Sequence, residues 1–305
     1  MASFNPSQLP DLAGKIAIVT GGNAGMHSTA YNLLKKNAKV YIAARDLAKA
    51  QATISEIKET LPEATVEALQ LDLSSFASVK AAAEKYLSME NELHILLNNA
   101  GAMGIPHALT EDGYDVQWSS NYMGHYLFTK LLMPTLSKTA ATAKDPVRIV
   151  NLSSDGHSMA PKGGILFDNI NQPTSSTLSR YGHSKLANIL HTKALAKRYG
   201  GKEKNTIVTT LHPGSVQTNL SGGLLGKIFG GPVARLLLRL FFMSPEEGSW
   251  ASLYAAASQE VNFEDNGVYF LPVGKRAKPS AAALDEALAD KLWQWTEDEL
   301  TKKGW

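Results

Sequence analysis

The chain has 305 residues, 44% hydrophobic and 19% charged, with a formal net charge of +2 at pH 7. That balance suits one or two globular domains with a sizeable core and gives no electrostatic case for nucleic acid. No cysteine is present, which excludes disulfides and thiolate metal sites and fits a reducing, cytoplasmic compartment. The first ten residues, Met1 to Pro10, lack the basic and apolar regions of a secretory signal. Lys15 to Thr20 is a short apolar run ending at glycines and reads as a buried strand. A helical stretch follows, with Ala30, Leu33 and Leu34 as its apolar positions. Lys39 to Ala44 is a second strand, Leu47 to Thr60 a helix stopped near Pro62, and Val66 to Leu71 a third strand. Ser75 to Leu87 is a third helix and His94 to Asn98 a fourth strand. Val147 to Leu152 and Thr206 to Leu211 continue the series, and Gly267 to Pro272 is a last strand. Strands rich in Val, Ile and Leu that alternate with helices predict an α/β fold, a doubly wound parallel sheet covered on both faces. No Pro/Ser-rich linker or internal repeat divides the chain, so a single domain over 1–305 is expected. No run of about 18 uncharged apolar residues occurs. The nearest candidate, 222–243, is interrupted by Lys227, Arg235 and Arg239.

The segment Thr20-Gly-Gly-Asn-Ala-Gly25-Met-His-Ser lies where the first strand hands over to the first helix. Glycines there let the backbone approach a pyrophosphate, and the helix N-terminus offers free N–H groups; a plain tight turn is the competing reading. The second strand ends in Ala44-Arg45-Asp46. An NAD site of this kind places a carboxylate there for the ribose hydroxyl. Ala44 leaves that role empty and Arg45 can pair with a 2′-phosphate, which favours NADP(H) over NAD(H). Asp46 keeps the NAD(H) alternative open, and Arg45 can also be a surface residue paired with Asp46 or a nearby Glu. Asp72, ending the third strand, can accept from an adenine amino group or cap the helix beginning near Ser75.

Tyr181 and Lys185 lie four residues apart, about one helical turn, so both leave the same face of a helix. An ammonium near a phenol favours the phenolate and lowers its pKa, allowing proton exchange with an alcohol or ketone. Such a pair also arises by chance on a solvated helix face.

The ordered motifs are Thr20-Gly-x-x-x-Gly25, Leu71-Asp72-Leu73, Asn98-Asn99-Ala100-Gly101, Asn121 within Asn-Tyr-Met-Gly-His, Ser153-Ser154, Tyr181-x-x-x-Lys185 and His212-Pro-Gly-x-Val-x-Thr218. In this order the chain resembles the short-chain dehydrogenases/reductases, within them the retinol-dehydrogenase-like and fungal reductase branch, from about Leu12 to the C-terminus. The resemblance implies an NADP(H)-dependent oxidoreductase with a Rossmann fold. Tyr181 is then the acid/base, and Lys185 lowers its pKa and holds the nicotinamide ribose. Ser154 polarises the substrate carbonyl. Asn121 fixes a helix bend and a relay water, with a purely structural asparagine as the alternative. Gly21, Asn23, Gly25 and Met26 form the phosphate loop. Arg45, Asp72, Leu73, Asn99, Ala100 and Gly101 line the adenosine side. Pro213, Gly214, Val216 and Thr218 hold the carboxamide and a phosphate oxygen. The helices carrying Asn121 and Tyr181 often form a dimer interface in this family, so a homodimer is expected.

One departure is His27, which stands where the family has a third glycine. Its ring can turn outward, contact a phosphate, or weaken cofactor binding. The last reading leaves a non-redox isomerase or cyclase, or a nucleotide-sensing binding protein, as competing functions. Segment 219–245 is expected to form a substrate lid, and its apolar content predicts a lipophilic substrate. A membrane-surface helix over 222–243 is the alternative there. Met103 and His107 can border the same pocket, and the stretch from Asp155 to Ser179 is expected to form a rim loop. The branch resembled points to secondary metabolism. The remaining histidines show no metal-ligand spacing, and no metal is expected.

Overall fold

The computed structural model describes residues 4–22, 27–214 and 244–305. The expected cofactor residues Asn23, Gly25, Met26, Val216 and Thr218 lie outside these residues. So do 219–243 of the expected lid and the side chain of His27.

The first half follows the alternation read from the sequence. Strands β1 (Ile16–Thr20), β2 (Lys39–Ala44), β3 (Val66–Gln70) and β4 (Ile95–Asn98) alternate with helices α1 (His27–Leu34), α2 (Leu47–Thr60) and α3 (Phe76–Met89). A short helix α4 (Val116–Trp118) runs through one π-helical turn (Ser119–Met123) into α5 (Gly124–Thr142). Then come β5 (Val147–Leu152), α6 (Thr177–Tyr199) and β6 (Thr206–Leu211). After the undescribed stretch come α7 (Pro245–Ala257), β7 (Tyr269–Leu271), β8 (Lys275–Ala277), α8 (Ala281–Leu284) and α9 (Glu286–Lys302). The last strand expected from the sequence is thus shorter, and an antiparallel partner β8 follows it. Gly274 makes that reversal possible: its φ is +70°, and a Cβ there would meet the Tyr254 ring at 2.5 Å.

The strands form one eight-stranded sheet in the order β3-β2-β1-β4-β5-β6-β7-β8, parallel except for β8. Strands β5 and β6 are buried at every position, as a sheet covered on both faces requires. Alternate side chains serve opposite faces. Ile18 joins a core built with α3, α5, α6 and α9, whereas Ala17 and Val19 join one built with α1, α2 and α7. The chain moves outward from β1 to β3 and then crosses back to β4. That reversal opens a crevice above the C-terminal ends of β1 and β4, where open α/β sheets bind ligands.

Helix α9 packs along α6 and α5. Trp293 stacks on His191, Thr296 meets the Tyr122 hydroxyl at 2.6 Å, and Glu297 accepts from Tyr126 at 2.6 Å and pairs with Lys130 at 2.7 Å. The face that the family resemblance assigns to a partner subunit therefore carries the chain's own C-terminal helix. None of the described helices is long and apolar enough to cross a membrane.

Candidate active site

The C-terminal ends of β1, β4 and β5 bring the expected residues together. Thr20 closes β1 and is wholly buried. Its hydroxyl oxygen accepts the Asn99 and Ala100 N–H groups at 2.9 Å each, and its carbonyl accepts from Asn99 Nδ2 at 2.7 Å. The same hydroxyl lies 2.9 Å from His125 Nε2, and His125 Nδ1 lies 3.1 Å from the Asn121 carbonyl. A carbonyl only accepts, so in the neutral ring Nδ1 carries the hydrogen and the Thr20 hydroxyl donates to Nε2. Burial holds the His125 pKa down at about 3, which keeps the ring neutral. This β1–β4–α5 clasp was not read from the sequence. The Asn121/His125 spacing of four residues was its available signal.

Gly21 continues from β1 with φ +68°. A Cβ there would lie 3.0 Å from Ala100 Cα, so only glycine lets the two loops close. A Cβ on Gly101 would lie 3.3 Å from Asn121 Oδ1 and 3.4 Å from Lys185 Nζ. The Asn-Ala-Gly backbone thus runs directly beside the two polar side chains.

Asn121 sits inside the π-helical turn, the irregularity that often marks a functional site within a helix. Its Oδ1 accepts from Ala102 N at 2.6 Å, and its Nδ2 donates to Ala102 O and to Ser184 Oγ, both at 2.9 Å. Both amide hydrogens are engaged with protein, as the structural alternative expects. Ser184, missed in the sequence, donates in turn to the Tyr181 carbonyl at 2.7 Å and ties this turn to α6. The π-helical turn leads into Gly124, where a Cβ would run into the Leu73 carbonyl oxygen.

Tyr181 and Lys185 lie on α6, capped by Ser176. Lys185 is 4% exposed, and its Nζ donates to the Leu152 carbonyl at 3.0 Å and stands 5.8 Å from the centre of the Tyr181 ring. No carboxylate pairs with it among the described residues, and burial brings its pKa down to about 8. Tyr181 is half-buried. Burial pushes its phenol above the ordinary value, and the hydrogen bond from Ser154 draws it back only in part. Desolvation of the phenolate is the larger of these two effects. Ser153 serves α6 instead, donating to the Lys185 carbonyl at 2.8 Å. Ser154 is the residue left facing Tyr181. Its Oγ accepts from Gly156 N at 3.0 Å and gives its own hydrogen to the Tyr181 oxygen.

On the adenosine side, Asp46 caps α2, accepting from Lys49 N at 3.1 Å. Arg45 is exposed and has no ion-pair or hydrogen-bond partner among the described residues. The alternative pairing with Asp46 is not seen there; Asp46 pairs with Lys49 at 3.5 Å. Asp72 does not cap α3; Ser75 does. Asp72 instead uses Oδ1 to accept from Ser74 N at 2.9 Å and from Ser74 Oγ at 2.6 Å. Leu73 is buried against Gly124. Pro213 and Gly214 follow β6 half-buried, Gly214 with φ +94°.

A sequence model of the short chain dehydrogenase family matches residues 15–225. The chain is 42% identical over 312 residues to the short-chain dehydrogenase/reductase drtF of Aspergillus calidoustus, across 99% of each protein. It is 36% identical over 289 residues to retinol dehydrogenase 12 of Mus musculus, across 92% of this chain and 85% of that one. Its fold is similar to a crystal structure of 3-ketoacyl-(acyl-carrier-protein) reductase from Brucella melitensis complexed with NADH. The TM-score is 0.64 with 26% identity, covering 85% of this chain and 97% of that one.

Proposed function

The chain belongs to the short-chain dehydrogenase/reductase family, and on that premise we propose that it is an NADP(H)-dependent oxidoreductase interconverting a lipophilic aldehyde or ketone and its alcohol. The observation that carries this reading is Lys185: a buried ammonium without a carboxylate, 5.8 Å from the Tyr181 ring, at the strand end that also presents Ser154. An unpaired buried cation is costly. Its retention beside a phenol fits a site where negative charge develops on oxygen.

The residues fit a nicotinamide dinucleotide, because Gly21 and Gly101 let the β1 and β4 loops close on each other beside Lys185 at the sheet's crevice. When bound, that cofactor supplies or accepts the hydride. The chain's residues do the rest. With substrate bound, the Ser154 hydroxyl turns its hydrogen from Tyr181 to the substrate oxygen and favours the charge that builds there, a contribution on the order of 3 kcal/mol in a dry site. The Tyr181 hydroxyl gives its proton to that oxygen during reduction and takes it back during oxidation. Lys185 stabilises the resulting phenolate. Asn121 acts as a positioning residue, holding Ala102 and the π-helical turn against α6.

NADP(H) is favoured because Asp46 is already engaged in capping α2 while Arg45 is free to meet a 2′-phosphate. A lipophilic substrate is favoured by Met159 and Leu178, both exposed beside Tyr181. Leu178 is three residues ahead of Tyr181 on α6, and Met159 Cε reaches the Gly156 position against which the Tyr181 ring rests. The relative named for retinol is in keeping with this.

Fluorescence titration with NADPH and NADH, followed by turnover of decanal and acetophenone, tests the reading. NADPH is expected to bind more tightly, and Arg45→Ala should weaken NADPH about 10- to 100-fold, the worth of one charge-assisted bond, with NADH unaffected. Tyr181→Phe should abolish turnover while keeping nucleotide affinity. Failure of both nucleotides to bind at millimolar concentration, or product formation undiminished in Tyr181→Phe, would sink it.

A further inference from the structure

Ser154 is braced from a distant part of the chain. It caps the 3-10 turn Asp155–Met159, and its carbonyl accepts the His157 N–H at 3.0 Å. A single 3-10 turn has poor hydrogen-bond geometry and holds its cap weakly. Two further contacts secure it. Tyr269 of β7 donates its hydroxyl to Asp155 Oδ1 at 2.8 Å, and Asp155 Oδ2 lies 3.5 Å from His212 Nε2. The second contact is the His157 ring, which is 6% exposed and packed edge-on against Tyr269 at 5.4 Å.

Both ring nitrogens of His157 are engaged with backbone. Ser280 N approaches Nε2 at 3.0 Å, across 123 residues of sequence. An amide N–H only donates, so Nε2 is bare. Nδ1 lies 2.7 Å from the Ser154 carbonyl, which only accepts, so Nδ1 carries the hydrogen. The ring is therefore neutral and in one tautomer, because a hydrogen on Nε2 would face the Ser280 N–H. Gly156 completes the arrangement: a Cβ there would lie 2.8 Å from Tyr181 Cε1, so the turn and the phenol share one surface.

We infer that His157 is a positioning residue for Ser154, and that Ser280 in the C-terminal segment, together with the Ser154 carbonyl, fixes the tautomer in which it works. The inference rests on Ser154 being the group that polarises the substrate carbonyl. Through this contact the segment around β7 and α8, remote in sequence, sets the placement of the Ser154 hydroxyl. A misplacement of about 1 Å at a reacting group lowers turnover by up to roughly 100-fold.

The test combines nitrogen NMR of histidine-labelled protein with kinetics. In the wild type the His157 ring, assigned by its loss in His157→Phe, should show the neutral Nδ1–H tautomer. Ser280→Pro deletes the donor at a residue whose φ of −58° suits proline. The Ser154 carbonyl still holds Nδ1–H, so the ring should keep that tautomer while its Nε2 resonance shifts on losing the Ser280 N–H. His157→Phe should lower kcat for NADPH-dependent decanal reduction roughly 10- to 100-fold with the NADPH Kd unchanged. His157→Asn keeps an N–H donor at the Nδ1 position and should recover much of the loss. A charged or Nε2–H ring in the wild type, or wild-type kcat in His157→Phe, overturns the inference. If the wild type reduces neither decanal nor acetophenone, the redox reading has failed instead. The His157 contact is then judged by the tautomer and by the Ser154 carbonyl carbon shift, which should move in His157→Phe and which overturns the inference if it does not.

Discussion

Replacing His191 with phenylalanine is expected to make the fold less sensitive to acid. His191 is 4% exposed, lies between Tyr126 and Trp293, and has both ring nitrogens buried without a hydrogen-bond partner. Burial lowers its pKa from 6.5 to about 3, and it does the same to His125 and His183. The sign follows from linkage. Below pH 6.5 the unfolded chain takes up protons that the folded rings refuse, so stability is lost as pH falls from about 6.5 toward 3. Between about pH 7.5 and pH 5.5 each ring costs about 1.4 kcal/mol, and the three together about 4 kcal/mol. Asp115, whose carboxyl burial pushes up, opposes this trend further into acid. Urea unfolding followed by tryptophan fluorescence at the two pH values measures the loss. His191→Phe keeps an aromatic ring against Trp293, so its stability near neutral pH should change little. Its loss on acidification should be smaller than the wild type's by about 1.4 kcal/mol. A wild-type stability unchanged between the two pH values would refute the reasoning, as would a variant that loses as much as the wild type.

Two further outcomes are expected. The kcat/KM for NADPH-dependent decanal reduction should fall on the alkaline side near pH 8, where Lys185 gives up its proton as pH rises. Lys185→Arg, which stays charged, should move that limb to higher pH, and a limb unmoved in the variant would assign it to another group. Gly124→Ala places a methyl on the Leu73 carbonyl and should destabilise the protein by about 1–3 kcal/mol in urea unfolding. Because the π-helical turn ends at Gly124, the same variant should lower kcat; wild-type stability would show that the helix can move aside.

The fold was legible because its signal is local. Lys39–Ala44, Val147–Leu152 and Thr206–Leu211 occupy the spans expected of them, since strands buried on both faces read as mostly apolar runs, and helix Leu47–Thr60 occupies its expected span before Pro62. The site was legible as a set of residue types at fixed spacings. Tyr181 and Lys185 share a helix face whatever surrounds them. Ser154 and Asn121 were expected from motif order alone. The adenosine side shows the limit of such reading. Asp72 and Asp46 are both carboxylates near strand ends, yet one is engaged with Ser74 and the other caps α2. Spacing does not reveal which acceptors neighbours have already taken.

The sequence by itself determined the doubly wound sheet and named the residues expected at its site, Tyr181, Lys185, Ser154 and Asn121. It could do so because hydrophobic period and helical spacing act over a few residues. Only the tertiary structure decided how those groups are tuned. The Tyr181 phenol is raised, because desolvation depends on atoms brought in from other segments. The two hydrogens of the Asn121 amide are occupied, because Ala102 and Ser184 close on it from two directions. The His157 ring is held between the Ser154 carbonyl and an amide 123 residues away. Helix α9 covers α5 and α6, because its Trp293 and Thr296 meet His191 and Tyr122 there. Each of these is a contact across long sequence separation, and the propensities of the residues involved carry no trace of it.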